Sequence, residues 1–287
     1  MRRRLSPFWL GLLAVTLLAS LSSKALVGAT GWRWLTKYPA AWEARLDRMI
    51  SAAMKWLVEE AALGPLAFRD VTRAISALIE APYDLIRGLL IEGLWQGQGQ
   101  QAVLILPGVS WAVVIAGFGM LAHHAGGGRL VLLVGAAFAY LLLFGLWEPA
   151  MVTLASVAIA VPLGLAGGIG LGILAFRHAW FERALRPILD LMQTVPVFAY
   201  LVPILYLFGF GATAALVATM IYAMPPMVRV TAIGLAAVPP EVVEAGRMAG
   251  CTRRQLLWKV QLPAAREMLM VGVNQVIMLT LNMVIIA

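Results

Sequence analysis

The residues best suited to bind a partner lie in a short polar segment, residues 239–263, near the carboxyl end of the sequence. The two prolines at the start of the segment suit the beginning of a helix, and Glu241 and Glu244 complement the positive end of that helix. Gly250 is placed to end the helix in a left-handed conformation. Thr252 and Gln255 then have the T-x-x-Q spacing of a capping box. The pattern predicts two short helices joined by a tight turn, the second running to about residue 261.

The predicted turn is built from small residues and flanked by charges. A partner's groove could close around the small residues Ala245, Gly246, Ala249 and Gly250, while Glu244, Arg247 and Arg253 offer charged contacts. The alternative from these features alone is an ordinary solvated loop. The function that these residues suggest is therefore binding to a partner protein. The rest of the chain must hold this segment in place.

Composition places the chain in a membrane. Of its 287 residues, 62% are hydrophobic and 13% are charged, which is more apolar side chain than a single soluble core needs. The net charge of +8 is scattered between apolar runs, so we expect no nucleic-acid partner. Cys251 is the one cysteine, which excludes an intramolecular disulfide.

Seven apolar elements predict an all-α, polytopic transmembrane bundle, because about 20 largely apolar residues cross a bilayer. The first could instead be a signal peptide. We divide the chain into an N-terminal transmembrane helix (1–27), an amphipathic external or interfacial segment (28–101), two accessory transmembrane helices (102–147) and a core of spans (150–287) that includes the loop 239–263. The elements are residues 8–27, 102–121, 130–147, 150–176, 195–210, 212–230 and 268–287.

Charge asymmetry predicts the orientation. If the amino terminus is cytoplasmic, the predicted cytoplasmic loops carry the whole net charge of +8, since basic and acidic residues balance in the external ones. Segment 28–101 is too polar to span. Its apolar residues, such as Ile50, Met54, Trp56, Leu57 and Leu63, with Trp32, Trp34, Trp42 and Trp95, predict an amphipathic helix on the membrane surface. A small helical domain packed on the spans is the open alternative.

Several kinds of chemistry are disfavoured by the sequence. No ionisable residue lies well inside a predicted span, which argues against proton coupling. No phosphate-binding Gly-x-x-x-x-Gly-Lys-Ser/Thr motif occurs, so we expect the chain not to be an ATPase or other enzyme. His123-His124 precede three glycines and predict a flexible inner loop, and we expect no metal site.

Glycines and prolines predict how the spans pack. Gly164, Gly168 and Gly172 form one side-chain-free helix face, which favours close helix packing over its alternative, the smooth wall of a conduction path. Pro196 is expected to kink or interrupt a helix, as are Pro203 and Pro225-Pro226. No substrate contacts are assigned from these features.

The docking segment resembles the E-A-A, G, I-x-L-P loop of permeases of ABC importers. The matching residues are Glu244-Ala245-Gly246, then Gly250, then Val260-Gln261-Leu262-Pro263, with Gly246 in place of alanine and Val260 in place of isoleucine. In that family the loop is the coupling helix that docks into an ATP-binding subunit. The resemblance implies an ATPase-coupling site at Glu244, Ala245, Gly246, Arg247, Gly250, Leu262 and Pro263.

The resemblance runs from about residue 150 to the end and is closest to the glycine betaine/proline betaine branch. It rests on Gln193-Thr194-Val195-Pro196, Tyr200-Leu201-Val202-Pro203, Met224-Pro225-Pro226-Met227-Val228-Arg229 and Val273-Asn274-Gln275. In the family a Gly-rich segment and another helix follow the position of Ala287, so we expect a partial sequence.

The resemblance implies an ATP-driven importer of quaternary ammonium osmoprotectants in a bacterial inner membrane. Its expected partners are an ATP-binding subunit that uses ATP and Mg²⁺, an external substrate-binding protein or domain, a second permease copy and the lipid bilayer. The alternatives are an ABC permease for another small solute such as an amino acid, a secondary transporter, and a membrane scaffold without transport activity.

Overall fold

The structure is a computed structural model that describes residues 7–22, 46–60, 62–63, 66–96 and 103–286. The chain divides into two compact units, Met1–Trp56 and Leu57–Ala287. The described residues are mostly helical, with two short pairs of strands, which confirms the predicted helical bundle.

The described part of the first unit is helical. Helix α1 (Pro7–Leu21) is apolar on all sides, and α2 (Leu46–Glu59) is amphipathic, with Ile50 and Trp56 exposed. The predicted interfacial residues Trp32, Trp34 and Trp42 lie outside the described residues, as do the first six residues of the chain and the end of predicted span 8–27.

The second unit begins with a short hairpin, β1 (Ala62–Leu63) and β2 (Leu66–Ala67), followed by α3 (Phe68–Arg87) and a π-helical turn (Gly88–Glu92). Ile79 and Tyr83 on α3 are buried in the largest apolar cluster of the described residues. Of the two alternatives for this segment, the contacts of α3 favour a helix packed on the spans over a helix on the membrane surface. Helix α3 contacts the three helices Trp147–Arg177, Phe198–Phe208 and Ala212–Ala236.

Predicted span 102–121 is wrong in its first part. Strand β4 (Val103–Leu106) pairs antiparallel with β3 (Leu94–Gln96), and the following Pro107 has no backbone N–H to continue a ladder. Helix α4 (Trp111–Leu143) begins only after this hairpin. Strand and helix runs of this length cannot be separated by apolar content alone.

Helix α4 reverses direction in the middle. Gly127 has φ 68° and ψ −163°, and the rings of Phe118 and Phe138 lie 5.4 Å apart. Twenty residues of continuous helix would separate those rings by about 30 Å. The two arms are therefore antiparallel. His123 and His124 lie in the first arm, so the expected flexible loop there is instead helix that ends at the glycine turn.

Among the described residues, four helices pass a test of length and apolar content for crossing a membrane, namely α4, α5 (Trp147–Arg177), α8 (Ala212–Ala236) and α11 (Arg266–Ile286). Because α4 folds back at Gly127, its apolar length is divided between two antiparallel arms. Helices α6 (Ala179–Thr194) and α7 (Phe198–Phe208) meet at an angle of 108° and could form a fifth crossing as a pair. The bend contains Pro196, which confirms the interruption predicted there.

Helix α8 is the centre of the bundle. It packs along α5 and α11, and it buries large side chains such as Leu216, Met227 and Leu235. It extends to Ala236, beyond the predicted end at residue 230, and Arg229 lies inside the helix and not in a loop. Arg229 forms an ion pair with Asp190 of α6, which the sequence pattern did not indicate.

The glycine stripe of α5 is the contact surface for α8 and α11. A Cβ atom at Gly172 would lie 2.5 Å from Cβ of Thr231 and 2.8 Å from the carbonyl oxygen of Val228. At Gly164 it would lie 3.6 Å from a methyl group of Val276. Close helix packing is thus confirmed, and the stripe is covered by neighbouring helices.

We expect Gly172→Ala to destabilise the bundle by about 1–3 kcal/mol, because the new methyl group meets the backbone of α8. Gly170→Ala is the matched control, since nothing lies within 4 Å of a Cβ there and alanine favours a helix. The midpoint temperature of thermal unfolding in detergent measures the stability of both variants. Equal midpoints for the two variants would contradict this packing.

Candidate docking site

The predicted docking segment folds as two short helices, as the sequence indicates. Helix α9 (Pro240–Met248) starts with proline in its first turn and has Glu241 there, where a carboxylate complements the helix dipole. Helix α10 (Arg253–Gln255) continues through a π-helical segment (Leu256–Gln261) and a last turn (Leu262–Ala264). The proline start of α9 and the Thr252 start of α10 both match the prediction.

The turn between α9 and α10 is a Schellman motif. Gly250 has φ 78°, the left-handed conformation predicted for it. The N–H of Cys251 donates to the carbonyl oxygen of Gly246 at 3.1 Å, and the N–H of Gly250 donates to that of Arg247 at 2.9 Å. These two bonds satisfy carbonyl groups that the end of a helix otherwise leaves free.

The second helix begins with the predicted capping box. The N–H of Gln255 donates to Oγ1 of Thr252 at 3.3 Å, and the N–H of Thr252 donates to Oε1 of Gln255 at 2.9 Å. Local hydrogen bonds thus define the geometry of the segment on both sides of the turn, without help from a partner.

Gly246 holds α9 against α10. It is buried, and a Cβ atom there would lie 2.8 Å from Cδ1 of Leu256 and 3.1 Å from Cγ2 of Val260. The absence of a side chain therefore lets the two helices approach closely. Gly246 supports the segment from inside and is not available to a partner.

An apolar cluster joins the segment to the ends of three spans. It contains buried Leu235 of α8, Leu257 of α10 and Ala265, with Val243, Leu262 and Leu269 packed against it. Ile173 and Phe176, near the end of α5, complete the cluster. Leu262, one of the predicted coupling residues, is half-buried here, so its packing joins α10 to the spans.

Helix α9 presents an exposed face to the outside of the chain, because within the helix only Gly246 is buried and only Val243 is half-buried. Glu244, Ala245, Arg247 and Gly250 are all exposed, and Pro263 is exposed in the last turn of α10. Met248 was not predicted, although its side chain is 85% exposed. A large apolar residue four positions after Glu244 lies on the same helix face, and that spacing could have identified it.

A cavity of about 270 Å³ lies beneath α9. Its lining includes Phe176 and Leu235 from the spans together with Val243, Glu244 and Arg247 from α9. Among the described residues, no group of three or more His, Cys, Asp and Glu side chains is arranged to hold a metal ion. The geometry is that of a small exposed helix on a packed base, which suits docking to another protein.

Comparison with known proteins agrees with this geometry. Residues 164–287 match the family model for the binding-protein-dependent transport system inner membrane component. The glycine betaine/carnitine transport permease protein GbuB of Listeria monocytogenes is 36% identical over 215 residues, which cover 69% of this chain and 76% of that protein.

Two other relatives are longer than this chain. The trimethylamine N-oxide transport system permease protein TmoV of Pelagibacter ubique is 39% identical over 80% of this chain, which spans 33% of that protein. The glycine betaine/proline betaine transport system permease protein ProW of Escherichia coli is 37% identical over 84% of this chain, which spans 62% of that protein.

We expect Gly250→Ala to loosen the turn, because alanine in the left-handed conformation costs about 1–2 kcal/mol. Gly250→Asn is the matched control, since asparagine tolerates this conformation and nothing lies within 4 Å of a Cβ there. Hydrogen–deuterium exchange at the amide of Cys251 should be about 5–30-fold faster in the alanine variant than in the asparagine variant. Equal exchange rates in the two variants would show that the left-handed conformation at Gly250 does not stabilise the turn.

Proposed function

The chain belongs to the family of binding-protein-dependent transport system inner membrane components, and we propose that it is the permease subunit of an ATP-driven importer. The proposed solute is glycine betaine, proline betaine or a related methylated amine. The observation that carries the proposal is the exposed face of α9, which is held by an apolar cluster on the ends of α5, α8 and α11.

The proposed partner on this face is an ATP-binding subunit that hydrolyses ATP with Mg²⁺. Glu244 and Arg247 supply charged contacts, and Ala245 and Met248 supply a low, apolar contact surface. Gly246, Gly250, Leu262 and Pro263 maintain the shape of the segment. In this assignment the chain itself carries out no catalysis.

The apolar cluster supplies the mechanical link. When the ATP-binding subunit closes on ATP, α9 moves with it, and Leu257 and Leu262 transmit that displacement to Leu235 of α8. Packed interiors transmit displacement because their side chains have little free volume. Movement of α8 against α5 then reorients the pathway between the two sides of the membrane.

The remaining partners follow from the same proposal. An external substrate-binding protein or domain delivers the solute, and a second copy of the permease completes the pathway. The amino terminus and the α9–α10 segment lie on the cytoplasmic side, since that orientation places the excess of Lys and Arg inside. Segment 1–27 is assigned as an anchoring span, and the two arms of α4 within segment 102–147 as accessory spans.

The substrate class is the finer part of the proposal. The names of ProW and GbuB refer to betaine and carnitine, and the name of TmoV refers to trimethylamine N-oxide. The identity of 39% to TmoV over 80% of this chain favours trimethylamine N-oxide as the second candidate. Each of these solutes combines a methylated nitrogen with a negatively charged oxygen.

We expect Glu244→Arg to abolish ATP-dependent uptake in vesicles that contain the full permease, the ATP-binding subunit and the binding protein. The charge reversal lies on the exposed face of α9. Glu267→Arg is the matched control, because Glu267 is also exposed but lies at the start of α11. Co-purification of the ATP-binding subunit measures docking directly. Full uptake by Glu244→Arg would contradict the docking assignment.

We expect an excess of unlabelled glycine betaine or proline betaine to abolish uptake of labelled glycine betaine in the same vesicles. An equal excess of proline, which lacks methyl groups on its nitrogen, should leave uptake unchanged. Trimethylamine N-oxide is the informative competitor. Inhibition by it at lower concentration than by betaine would favour the second candidate, and inhibition by proline would contradict a methylated-amine substrate.

A further inference from the structure

A groove of about 820 Å³ lies between the end of α5 and the first turns of α10. Five basic side chains line it, and they come from three parts of the chain. Arg177 and His178 end α5, Arg247 belongs to α9, and Arg253 and Arg254 begin α10. No carboxylate lines the groove, so all of its ionisable lining residues are of basic type.

The four arginines of the groove make no ion pair with any residue that the structure describes. A second pocket, of about 340 Å³ between α6 and α8, provides a contrast. It also contains arginines, but there Arg186 is paired with Glu182 and Arg229 with Asp190. Charge is balanced inside that pocket and left unbalanced in the groove.

One wall of the groove is apolar and belongs to a membrane span. Ile173 and Phe176 lie in the last turns of α5, which carries no charge from Pro149 until Arg177. Arg177 therefore marks the depth at which that span leaves the hydrocarbon. Trp258, which is 57% exposed, lines the groove from α10, and tryptophan favours the headgroup layer.

We propose that this groove binds the headgroup of an anionic phospholipid, with its phosphate at the arginines and an acyl chain along Ile173 and Phe176. Basic pockets beside the cytoplasmic ends of spans suit such headgroups, because phosphate oxygens accept several guanidinium N–H bonds at once. The combination of unpaired arginines and a half-buried apolar wall at the end of a span favours a lipid. An acidic protein segment or free phosphate would match the cations and leave the apolar wall without a partner.

The site differs from the docking face proposed for α9. The docking face is formed by Glu244, Ala245 and Met248 at the exposed side of α9, whereas the groove is formed mainly by α5 and α10. Arg247 lies where the two meet, so it is left unchanged in the variants below. Lipid binding is thus testable whether or not the transport proposal holds.

The test uses the full chain in detergent with equal amounts of dioleoyl phosphatidylglycerol and dioleoyl phosphatidylcholine, and native mass spectrometry counts the retained lipids. We expect a preference for phosphatidylglycerol that falls about tenfold in the double variant Arg177→Gln/Arg254→Gln. The matched control is Arg183→Gln/Arg266→Gln, which removes two exposed arginines outside the groove and should keep the preference. Size-exclusion chromatography checks the fold of each variant.

Three results would overturn the proposal. One is an equal retention of the two lipids by the unaltered chain, and another is an equal loss of preference in the two double variants. The third is displacement of phosphatidylglycerol by an equal concentration of inorganic phosphate, because the apolar wall should favour the lipid. If the groove variant does not fold, Arg254→Gln alone is measured against Arg266→Gln by the same criterion.

Discussion

The close approach of α5 to α8 is the contact on which the rest of the core depends. It is possible because Gly168 and Gly172 carry no side chain where Met227 and Thr231 cross them. In a bilayer, helices gain little from hydrophobic burial against each other, so van der Waals contact at such a crossing supplies much of their association. The buried side chains of α8 and its contacts with α11 follow from this position.

The docking segment depends on the same contact. Ile173 and Phe176 lie just beyond the glycine stripe of α5, and Leu235 lies near the end of α8. Together they form the base on which α9 and α10 pack. A displacement of the segment is therefore applied at the ends of the two helices with the closest contact, where a small tilt alters their whole interface.

Local features of the segment could be predicted from the sequence because their causes are local. The start of α9 at Pro240, the left-handed Gly250 and the capping box of Thr252 depend on residues within a few positions of each other. The glycine stripe could also be predicted from the sequence, since its spacing defines one face of a helix. What covers that face depends on the tertiary fold.

Features that arise from distant parts of the chain could not be predicted in the same way. The pair of Arg229 with Asp190 joins residues 39 positions apart, and the packing of Tyr83 on the spans depends on how α3 folds back. The start of predicted span 102–121 was wrong because pairing with β3 outweighs apolar content there. Leu262 matches a motif, yet its half-buried position follows from the cluster around Leu235.

Site-directed cross-linking tests the central claim, the docking of α9, most directly. In a Cys251→Ser background, Met248→Cys places a single thiol on the exposed face of α9, and Phe210→Cys places one after α7, where Phe210 is 93% exposed. With the assembled transporter, we predict that Met248→Cys cross-links to the ATP-binding subunit and that Phe210→Cys does not. A cross-link from Phe210→Cys together with none from Met248→Cys would contradict the docking of α9.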